Sequence, residues 1–286
     1  MWNPFNRNTI SNSSASKRSL QLITQKGMPF AYVEAYKALR TNLNFLSGSG
    51  DVHAFVVTST VPEEAKSNVS VNLALALTES GKKVVLVDCD LRKPVLHRYL
   101  KAGHNLKGVS NVLSRQVALS DALVDLKGIP NLTFLPAGTT PPNPSELLSQ
   151  PQMQEMVDTL RGSYDFVILD APPISMVTDA AVIGRIVDGA LFVVRSKYAS
   201  TDAVKTALEK LQDAGVKVLG AVLTRYDAKK SLKRSDYGYG YYYYNSNYSY
   251  GPPDGISESA AKKSGLTSKK QHNGKEKHSV HTEDEA

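Results

Sequence analysis

The sequence is poor in cysteine and in long apolar runs. Cys89 is the only cysteine among the 286 residues, so no disulfide can form within the chain and nothing suggests an oxidising compartment. No apolar stretch approaches the roughly 20 residues that a membrane-spanning helix needs. The first 19 residues also lack the apolar core of a secretory signal. We therefore expect a cytoplasmic protein in which Cys89 is a small buried strand residue.

Positive charge is in excess, but it is unevenly placed. The net charge of +7 would by itself suit a nucleic-acid partner. Much of the excess lies towards the C-terminus, at Lys229, Lys230, Lys233, Arg234, Lys262, Lys263, Lys269 and Lys270. Such a basic tail equally suits an anionic membrane surface. We therefore expect no nucleic-acid partner. The chain length fits one α/β domain with tails.

The central stretch of the chain has the pattern of a strand, a loop and a helix. Ala54–Val57 is a short apolar run, typical of a parallel strand buried on both faces. Pro62 cannot continue that strand, and Lys66-Ser67 begins a segment with helical apolar spacing. The first turn of such a helix presents unpaired N–H groups and a positive dipole end, to which a lysine adds a full charge. The pattern therefore predicts a phosphate-binding loop, although a Lys-Ser pair alone is usually structural.

Glycine is absent from this loop. The general phosphate-loop pattern is G-x-x-x-x-G-K-[ST], whereas residues 59–67 are STVPEEAKS. Glycine lets the backbone approach phosphate closely and adopt positive φ. Ala65 adds a methyl group before the lysine, and Glu63 and Glu64 add negative charge. We therefore expect weaker nucleotide binding than the general pattern gives.

Three aspartates follow predicted buried strands. The run from Lys83 to Val87 precedes Asp88 and Asp90, and the run from Phe166 to Leu169 precedes Asp170. The carboxyl ends of parallel strands are where open α/β sheets bind their ligands. Carboxylates there suit Mg²⁺, which prefers oxygen ligands. Further strands at 132–135, 190–194 and 216–223, with helices at 146–160 and 202–214, predict a mostly parallel sheet covered by helices on both faces.

In their order, these motifs resemble a known family. S-x-x-P-x-E-x-K-S, then VVLVDCDLRKP at 84–94, then FVILDAPP at 166–173 are similar to the bacterial tyrosine kinases of capsule and exopolysaccharide operons. Those kinases are related to the deviant-Walker P-loop ATPases, which include the septum-site and plasmid-partition proteins. The family usually has Gly at positions 63 and 65. The resemblance covers about residues 29–250, and it implies a P-loop NTPase-like fold.

The resemblance also implies roles for individual residues, with ATP and Mg²⁺ as cofactors. Lys66, Asp88 and Asp90 would be catalytic, with Asp88 accepting the tyrosine proton. Mg²⁺ would be held by Ser67, Asp170 and Asp90. The nucleotide would be bound along the loop and the start of the helix, by Pro62, Glu63, Glu64, Ala65, Lys66, Ser67 and Asn68.

A helix is predicted between Tyr32 and Phe45, with three charged residues on one side. Glu34, Lys37 and Arg40 are spaced at i, i+3 and i+6, which from the residues alone indicates a solvated helix face. The family resemblance instead implies a subunit contact, because the spacing matches an E-x-x-R-x-x-R motif. Lys37 stands where the motif has its first arginine, and a lysine lacks the planar bidentate fork.

The segment from Tyr237 to Tyr250 is rich in tyrosine and has no aliphatic residue. By composition it is a low-complexity linker or a stacking surface for single-stranded nucleic acid. Beside a kinase motif, the resemblance makes it a substrate. The candidate autophosphorylation sites are Tyr237, Tyr239, Tyr241, Tyr242, Tyr243, Tyr244, Tyr248 and Tyr250.

We therefore predict three regions: a disordered segment at 1–28, a P-loop kinase domain at 29–226 and a flexible tail at 227–286. The predicted function is ATP-dependent tyrosine phosphorylation of the tail in trans, acting on polysaccharide synthesis and export. The implied partners are a membrane-embedded chain-length regulator that recruits the protein to the inner membrane face, further copies of the chain, and a cognate tyrosine phosphatase. A nucleotide-dependent scaffold without kinase activity is the alternative. A septum-site-type ATPase is disfavoured, since no lysine stands at Thr60 or Val61.

Overall fold

The predicted strands pair into one sheet. The computed structural model describes residues 20–48 and 52–226. Within them, seven strands lie in the order β3-β4-β2-β5-β1-β6-β7, and every neighbouring pair is parallel except β3 with β4. The strands are β1 (Ala54–Ser59), β2 (Val84–Asp88), β3 (Val124–Asp125), β4 (Leu132–Leu135), β5 (Phe166–Asp170), β6 (Ala190–Arg195) and β7 (Val218–Thr224). The mostly parallel sheet is confirmed.

Continuous apolar runs form the inner strands because both faces of those strands are covered. All residues of β1, β2, β4 and β5 are buried. The strand β7, at the edge of the sheet, is only partly buried and exposes Leu223. The core is therefore centred on β2, β5 and β1.

Helices cover both faces of the sheet, as predicted. They are α1 (Phe30–Gly48), α2 (Lys66–Thr78), α3 (Leu96–Tyr99), α4 (Val109–Leu113), α5 (Leu119–Ala122), α6 (Pro144–Leu148), α7 (Pro151–Arg161), α8 (Asp179–Gly184) and α9 (Thr201–Asp213). One apolar cluster joins the sheet to α1, α2 and α3, and a second joins it to α4 through α9. The central position of α2 explains why its residues from Val69 to Leu77 are all buried.

One predicted helix is wrong in its extent. The pattern from 146 to 160 was expected to be a single helix capped by Ser145, but the structure has two helices, α6 and α7. Gln150 adopts an extended conformation, with ψ 151, immediately before Pro151. Proline disfavours a helical conformation in the residue before it, so the helix must end and begin again. The short elements β3, α5 and α8 were not predicted, because elements of two to six residues are too short to show a clear hydrophobic period.

The N-terminal boundary of the domain also needs correction. The sequence predicts that residues 20–28 belong to a disordered segment, but Ile23 is buried against the α1 and α2 side of the sheet. The backbone N–H of Ile23 donates to Asn72 Oδ1 at 2.8 Å, and Asn72 Nδ2 donates to the Gln21 carbonyl at 2.8 Å. One buried amide on α2 therefore holds residues 21–23 against the domain.

None of the helices within residues 20–48 and 52–226 combines the length and apolar character needed to cross a bilayer. The tyrosine cluster at 237–250 and the basic tail lie outside the described residues.

Candidate nucleotide and phosphoryl-transfer site

Three strand-end aspartates meet at the carboxyl edge of the sheet. Asp88 on β2 pairs in register with Asp170 on β5, and Asp170 pairs with Val57 on β1. Asp90 follows β2 by two residues. The loop that connects β1 to α2 begins at the same edge, so the topology places Lys66 among these carboxylates. The expectation that the three aspartates lie together is confirmed.

The loop adopts a glycine-like backbone without glycine. Glu63 and Ala65 both have φ 71, which is the left-handed region. These are the two positions at which the resemblance implies glycine. A side chain in this region costs roughly 1–2 kcal/mol per residue. Ala65 is also the residue before the first turn of α2, so the strained geometry lies directly at the helix start.

The side chain of Glu64 has a structural role. It is buried, its Oε2 accepts a hydrogen bond from the Val61 N–H at 2.9 Å, and its Oε1 accepts one from the Arg195 N–H at 3.2 Å. The Glu64 carbonyl accepts the Thr224 hydroxyl at 2.9 Å. The loop is thus tied to the carboxyl ends of β6 and β7. The sequence suggested a charge standing beside phosphate, whereas this carboxylate is committed to backbone N–H groups.

Glu63 lies on the outer side of the loop, together with Pro62, and both are exposed. The Tyr198 hydroxyl is 3.4 Å from Glu63 Oε2, and the Arg195 guanidinium lies 4.3 Å from the centre of the Tyr198 ring. Arg195 Nη1 also contacts the Glu63 carbonyl at 3.4 Å. These contacts hold the first left-handed residue in place.

Lys66 is enclosed by carboxylates. Its Nζ lies 3.1 Å from Asp170 Oδ2 and 3.3 Å from Asp90 Oδ2, and its side chain is only 11% exposed. Burial alone would lower the pKa of Lys66, but the charges of Asp170 and Asp90 outweigh burial and raise that pKa above its ordinary value. Lys66 is therefore a charged ammonium at neutral pH.

Two hydroxyls bind the same aspartate. Ser67 Oγ donates to Asp170 Oδ2 at 2.7 Å, and Ser70 Oγ donates to Asp170 Oδ1 at 2.9 Å. Ser70 was not singled out from the sequence. The sequence spacing does indicate Ser70, because it stands four residues after Lys66 and so faces the same side of α2. Asp170 is completely buried, and these donors fix both of its oxygens.

Asp88 is a buried carboxylate whose raised pKa makes it a candidate general base. Its Oδ1 accepts the Asp90 N–H at 3.2 Å and its Oδ2 accepts the Leu96 N–H at 3.3 Å. Burial, and next the charge of Asp170, raise the pKa of Asp88 from 3.8 to about 8, although Lys66 opposes the shift. Cys89 is buried as predicted, and burial with the neighbouring aspartates raises the pKa of its thiol.

The donor set suits Mg²⁺. The Ser67 hydroxyl and the Asp170 carboxylate are adjacent oxygens at a helix start, and Mg²⁺ is usually held by one or two carboxylates together with phosphate oxygens and water. Within the described residues, no three Asp, Glu, His or Cys side chains form a metal site by themselves. These residues therefore fit an Mg²⁺ ion whose remaining ligands come from the nucleotide and from water. Asp90 lies nearby, since it contacts the Lys66 ammonium.

Asn68 is directed towards the N-terminal helix. Its Oδ1 accepts hydrogen bonds from the hydroxyls of Tyr32 and Tyr36, each at 3.0 Å. Only its backbone is left to line the loop side of α2. Burial raises the pKa of Tyr36 well above its ordinary value, so this hydroxyl is a permanent donor to Asn68.

The charged residues of α1 are partly engaged within the chain. Lys37 Nζ pairs with Glu34 at 2.8 Å, whereas Arg40 Nη1 donates to the Ala76 carbonyl near the end of α2 at 2.9 Å. Arg40 therefore packs on α2, while Glu34 and Lys37 form a partly exposed pair. Their role as a subunit contact stays a prediction.

A second cluster was missed by sequence reasoning. Arg92 Nε donates to the fully buried Asp179 Oδ2 at 3.1 Å, and Ser145 Oγ donates to Asp179 Oδ1 at 2.5 Å. Arg92 Nη2 also donates to Ser145 Oγ at 2.8 Å. The cluster joins the loop after β2 to the starts of α6 and α8. No sequence spacing relates these three residues, because only the fold brings these segments together.

The fold and the site define a class of protein: the P-loop NTPase-like nucleotide-binding proteins, with a loop between β1 and α2 and strand-end carboxylates beside it. The family model described as an AAA domain matches residues 64–218. The structure of the septum site-determining protein MinD from Pyrococcus horikoshii, in complex with Mg-ADP, is 25% identical and has a TM-score of 0.54, covering 65% of this chain and 72% of that one.

Two further matches identify the family. The tyrosine-protein kinase YwqD of Bacillus subtilis is 37% identical over 205 residues, which are 72% of this chain and 84% of that protein. The crystal structure of the chimerical protein CapA2B2 is 35% identical with a TM-score of 0.67, covering 73% of this chain and 90% of that one. The chain belongs to the bacterial tyrosine-protein kinases, as the resemblance implied.

Proposed function

We propose that this kinase transfers the γ-phosphoryl group of ATP to tyrosines of its own segment 237–250, supplied by another copy of the chain. The observation that carries the proposal is the arrangement around Asp170. Its Oδ2 lies within hydrogen-bond distance of both Lys66 and Ser67, and the buried Asp88 is its register partner on the next strand. Phosphoryl transfer requires mainly positioning and charge neutralisation, and these groups provide both.

Each residue has a distinct role in the proposed reaction. The backbone of residues 64–67 cradles the phosphates, and Lys66 neutralises charge on the β and γ groups. Ser67 and Asp170 would hold Mg²⁺, which would supply the remaining charge neutralisation when bound. Asp88 accepts the proton of the tyrosine hydroxyl, and Asp90 orients Lys66 at 3.3 Å. Burial and the charge of Asp170 raise the pKa of Asp88 to about 8, which makes its ionised form a stronger base. Only that ionised form can accept the tyrosine proton, so the proposed rate rises as the pH approaches 8.

The tyrosine segment gives the reaction a regulatory consequence. Each phosphotyrosine adds about −1.5 to −2 charges, so four of them add roughly −6 to −8. An unmodified segment docks at the acidic site of another copy, whereas a phosphorylated one is repelled and the oligomer loosens. A cognate tyrosine phosphatase resets the state. Light scattering before and after phosphatase treatment measures the mass of the oligomer. Identical masses in the two states would show that phosphorylation does not control the oligomer.

The family resemblance supports the cellular part of the proposal. We place the kinase in the cytoplasm, recruited to the inner face of the membrane by a chain-length regulator of capsular or exopolysaccharide synthesis. The contact between copies uses Glu34, Lys37 and Arg40. Of these, the Glu34 and Lys37 side chains are 38% and 41% exposed, so they are accessible to another subunit.

A nucleotide-dependent scaffold is the second candidate, and one observation favours it. Glu63 and Ala65 hold side chains in the left-handed region, which costs conformational energy at the site of nucleotide binding. A scaffold would bind Mg-ATP weakly and phosphorylate nothing.

One experiment separates the two candidates. The full chain is incubated with labelled ATP, Mg²⁺ and the cytoplasmic peptide of the membrane partner, and phosphotyrosine is measured. We expect label on residues 237–250, and none in Lys66→Met. The matched control is Lys82→Met, because the Lys82 side chain is 44% exposed and only loosely paired with Asp165 at 3.9 Å. Undiminished phosphotyrosine in Lys66→Met would contradict the proposal.

A further inference from the structure

A cleft lies next to the site, at the carboxyl edge of the sheet. Its volume is about 550 Å³. The segment after β2, which includes α3, contributes Pro94, His97 and His104, and the loop after β4 contributes residues 136–140. None of the mechanistic groups described above lines this cleft, so it is a separate surface.

The position of the cleft relates it to Asp88. Strands β2 and β4 pair with Val87 opposite Leu135, so Pro136 follows at the level of Asp88 on the neighbouring strand. On the other side, the N–H of Leu96 donates to Asp88 Oδ2 at 3.3 Å, and Leu96 immediately precedes His97. The cleft therefore opens beside the proposed base, on the side of β2 away from the phosphate loop.

The lining suits an aromatic side chain with a hydroxyl. The rings of His97 and His104 meet edge to face with their centres 6.1 Å apart, and Pro94 and Leu106 add apolar surface. Burial, and next the charges of Arg98 and His104, lower the pKa of His97, so its imidazole is neutral at pH 7 and can accept a hydrogen bond. Among the described residues that line the cleft, none is acidic.

The wall of the cleft is preformed. The Val109 N–H donates to the Pro136 carbonyl at 2.8 Å, and the Ser110 N–H donates to the Ala137 carbonyl at 3.0 Å. Gly108 permits this close approach, because a Cβ there would lie 1.9 Å from the Pro136 oxygen. A wall fixed in this way costs little ordering when a ligand binds.

We infer that the cleft binds a tyrosine side chain that is not itself phosphorylated, and so anchors an acceptor segment while a nearby tyrosine of that segment reaches Asp88. The occupant is segment 237–250 of a second copy. The inference rests on the proposed function, and it adds a second subsite to the acceptor side.

The sequence of the segment fits this occupant. Tyrosine is its only large side chain, and residues 237–251 carry no charged group. The cleft lining is mixed, since Pro94 and Leu106 are apolar, His97 and Asn105 are polar and Lys107 is basic, so a phenol can meet both apolar surface and hydrogen-bonding groups. In an extended chain, residues i and i+2 point the same way and lie about 6.6 Å apart. Tyr241 and Tyr243 have this spacing, as do Tyr242 and Tyr244. One of each pair can fill the cleft while the other is presented.

The test measures binding without catalysis. Two fluorescent peptides spanning 237–250 are compared, one retaining Tyr241 and Tyr243 and one retaining only Tyr243, with the other tyrosines changed to serine. Anisotropy is measured with the full chain. We expect the peptide with two tyrosines to bind about tenfold more tightly, the gain of one aromatic contact and one hydrogen bond. We expect His97→Ala to remove that gain, and His97→Phe to keep part of it.

The matched control is His53→Ala. His53 is an exposed imidazole that contacts the Asp165 carbonyl at 3.2 Å, away from the cleft. A gain that persists in both His97→Ala and His104→Ala, or that is absent in the unsubstituted chain, would overturn the inference.

A kinetic arm separates the cleft from the proposed function. With ATP present, His97→Ala raises the KM for the two-tyrosine peptide about tenfold and leaves the KM for ATP unchanged. If no copy of the chain phosphorylates any peptide, the proposed function fails while the anisotropy still decides whether the cleft binds tyrosine.

Discussion

The carboxylate of Glu64 accepts a hydrogen bond from the backbone N–H of Arg195 at 3.2 Å, and this contact ties the phosphate loop to the end of β6. The same carboxylate accepts the Val61 N–H within the loop at 2.9 Å. A loop without glycine is therefore fixed from inside by a buried anion. The shape of the loop depends on these bonds as well as on its own sequence.

Glu64→Ala should destabilise the protein and weaken nucleotide binding. The substitution leaves the partly buried N–H groups of Val61 and Arg195 without this acceptor. A fully buried unsatisfied group costs about 1–3 kcal/mol, and these two, being partly buried, should cost less. Urea denaturation measures the stability, and calorimetry with Mg-ADP measures the affinity. Glu79→Ala is the control, because Glu79 is exposed after α2. Equal stability of the two variants would show that the loop holds its shape without Glu64.

Ala65→Gly should stabilise the protein, by about 0.5–1 kcal/mol. At φ 71 the alanine methyl group is strained, and removing it relieves more energy than the added freedom of glycine costs in the unfolded chain. Ala74→Gly is the control, since Ala74 lies inside α2 in helical geometry and glycine there destabilises. The predicted signs are opposite. A loss of stability in both variants would show that Ala65 is not strained in this loop.

Asp88→Asn should flatten the dependence of stability on pH. The folded pKa of about 8 lies above the ordinary 3.8, so the folded state retains a proton that the unfolded state has released. Stability from this group is complete below about pH 4 and is lost as the pH rises through 8. Thermal midpoints between pH 5 and 9 should therefore fall by several degrees more in the unsubstituted protein than in Asp88→Asn. Asp125→Asn, at an exposed residue of β3, should keep the original slope.

Asn72→Ala should release residues 20–28 from the domain. The buried amide holds the Ile23 N–H and the Gln21 carbonyl, and alanine can replace neither contact. Limited trypsin digestion should cut after Lys26 faster in this variant than in the unsubstituted chain. Gln154→Ala, at a partly exposed residue of α7 remote from residues 20–28, should leave the rate of cleavage unchanged. Equal rates for all three proteins would mean that the packing of Ile23 alone holds the segment.

The sequence by itself determined the layout of the domain. Continuous apolar runs such as Phe166–Leu169 specify inner strands, because they must be covered on both faces. Two of these runs, in β2 and β5, end at an aspartate, and the run in β1 leads into the Lys66 loop. Parallel pairing then brings Asp88, Asp170 and Lys66 to one edge. These contacts follow from strand order and from local pattern, which is why they could be predicted.

Only the tertiary structure decided how each side chain is used. Glu64 is a buried acceptor for the N–H of Arg195, 131 residues away, and Arg92, in the loop after β2, donates to Asp179 at the start of α8. The cleft beside His97 exists because the loops after β2 and β4 close on each other. Such contacts join residues that no sequence period relates, so burial and charge at these positions are set by the packed fold.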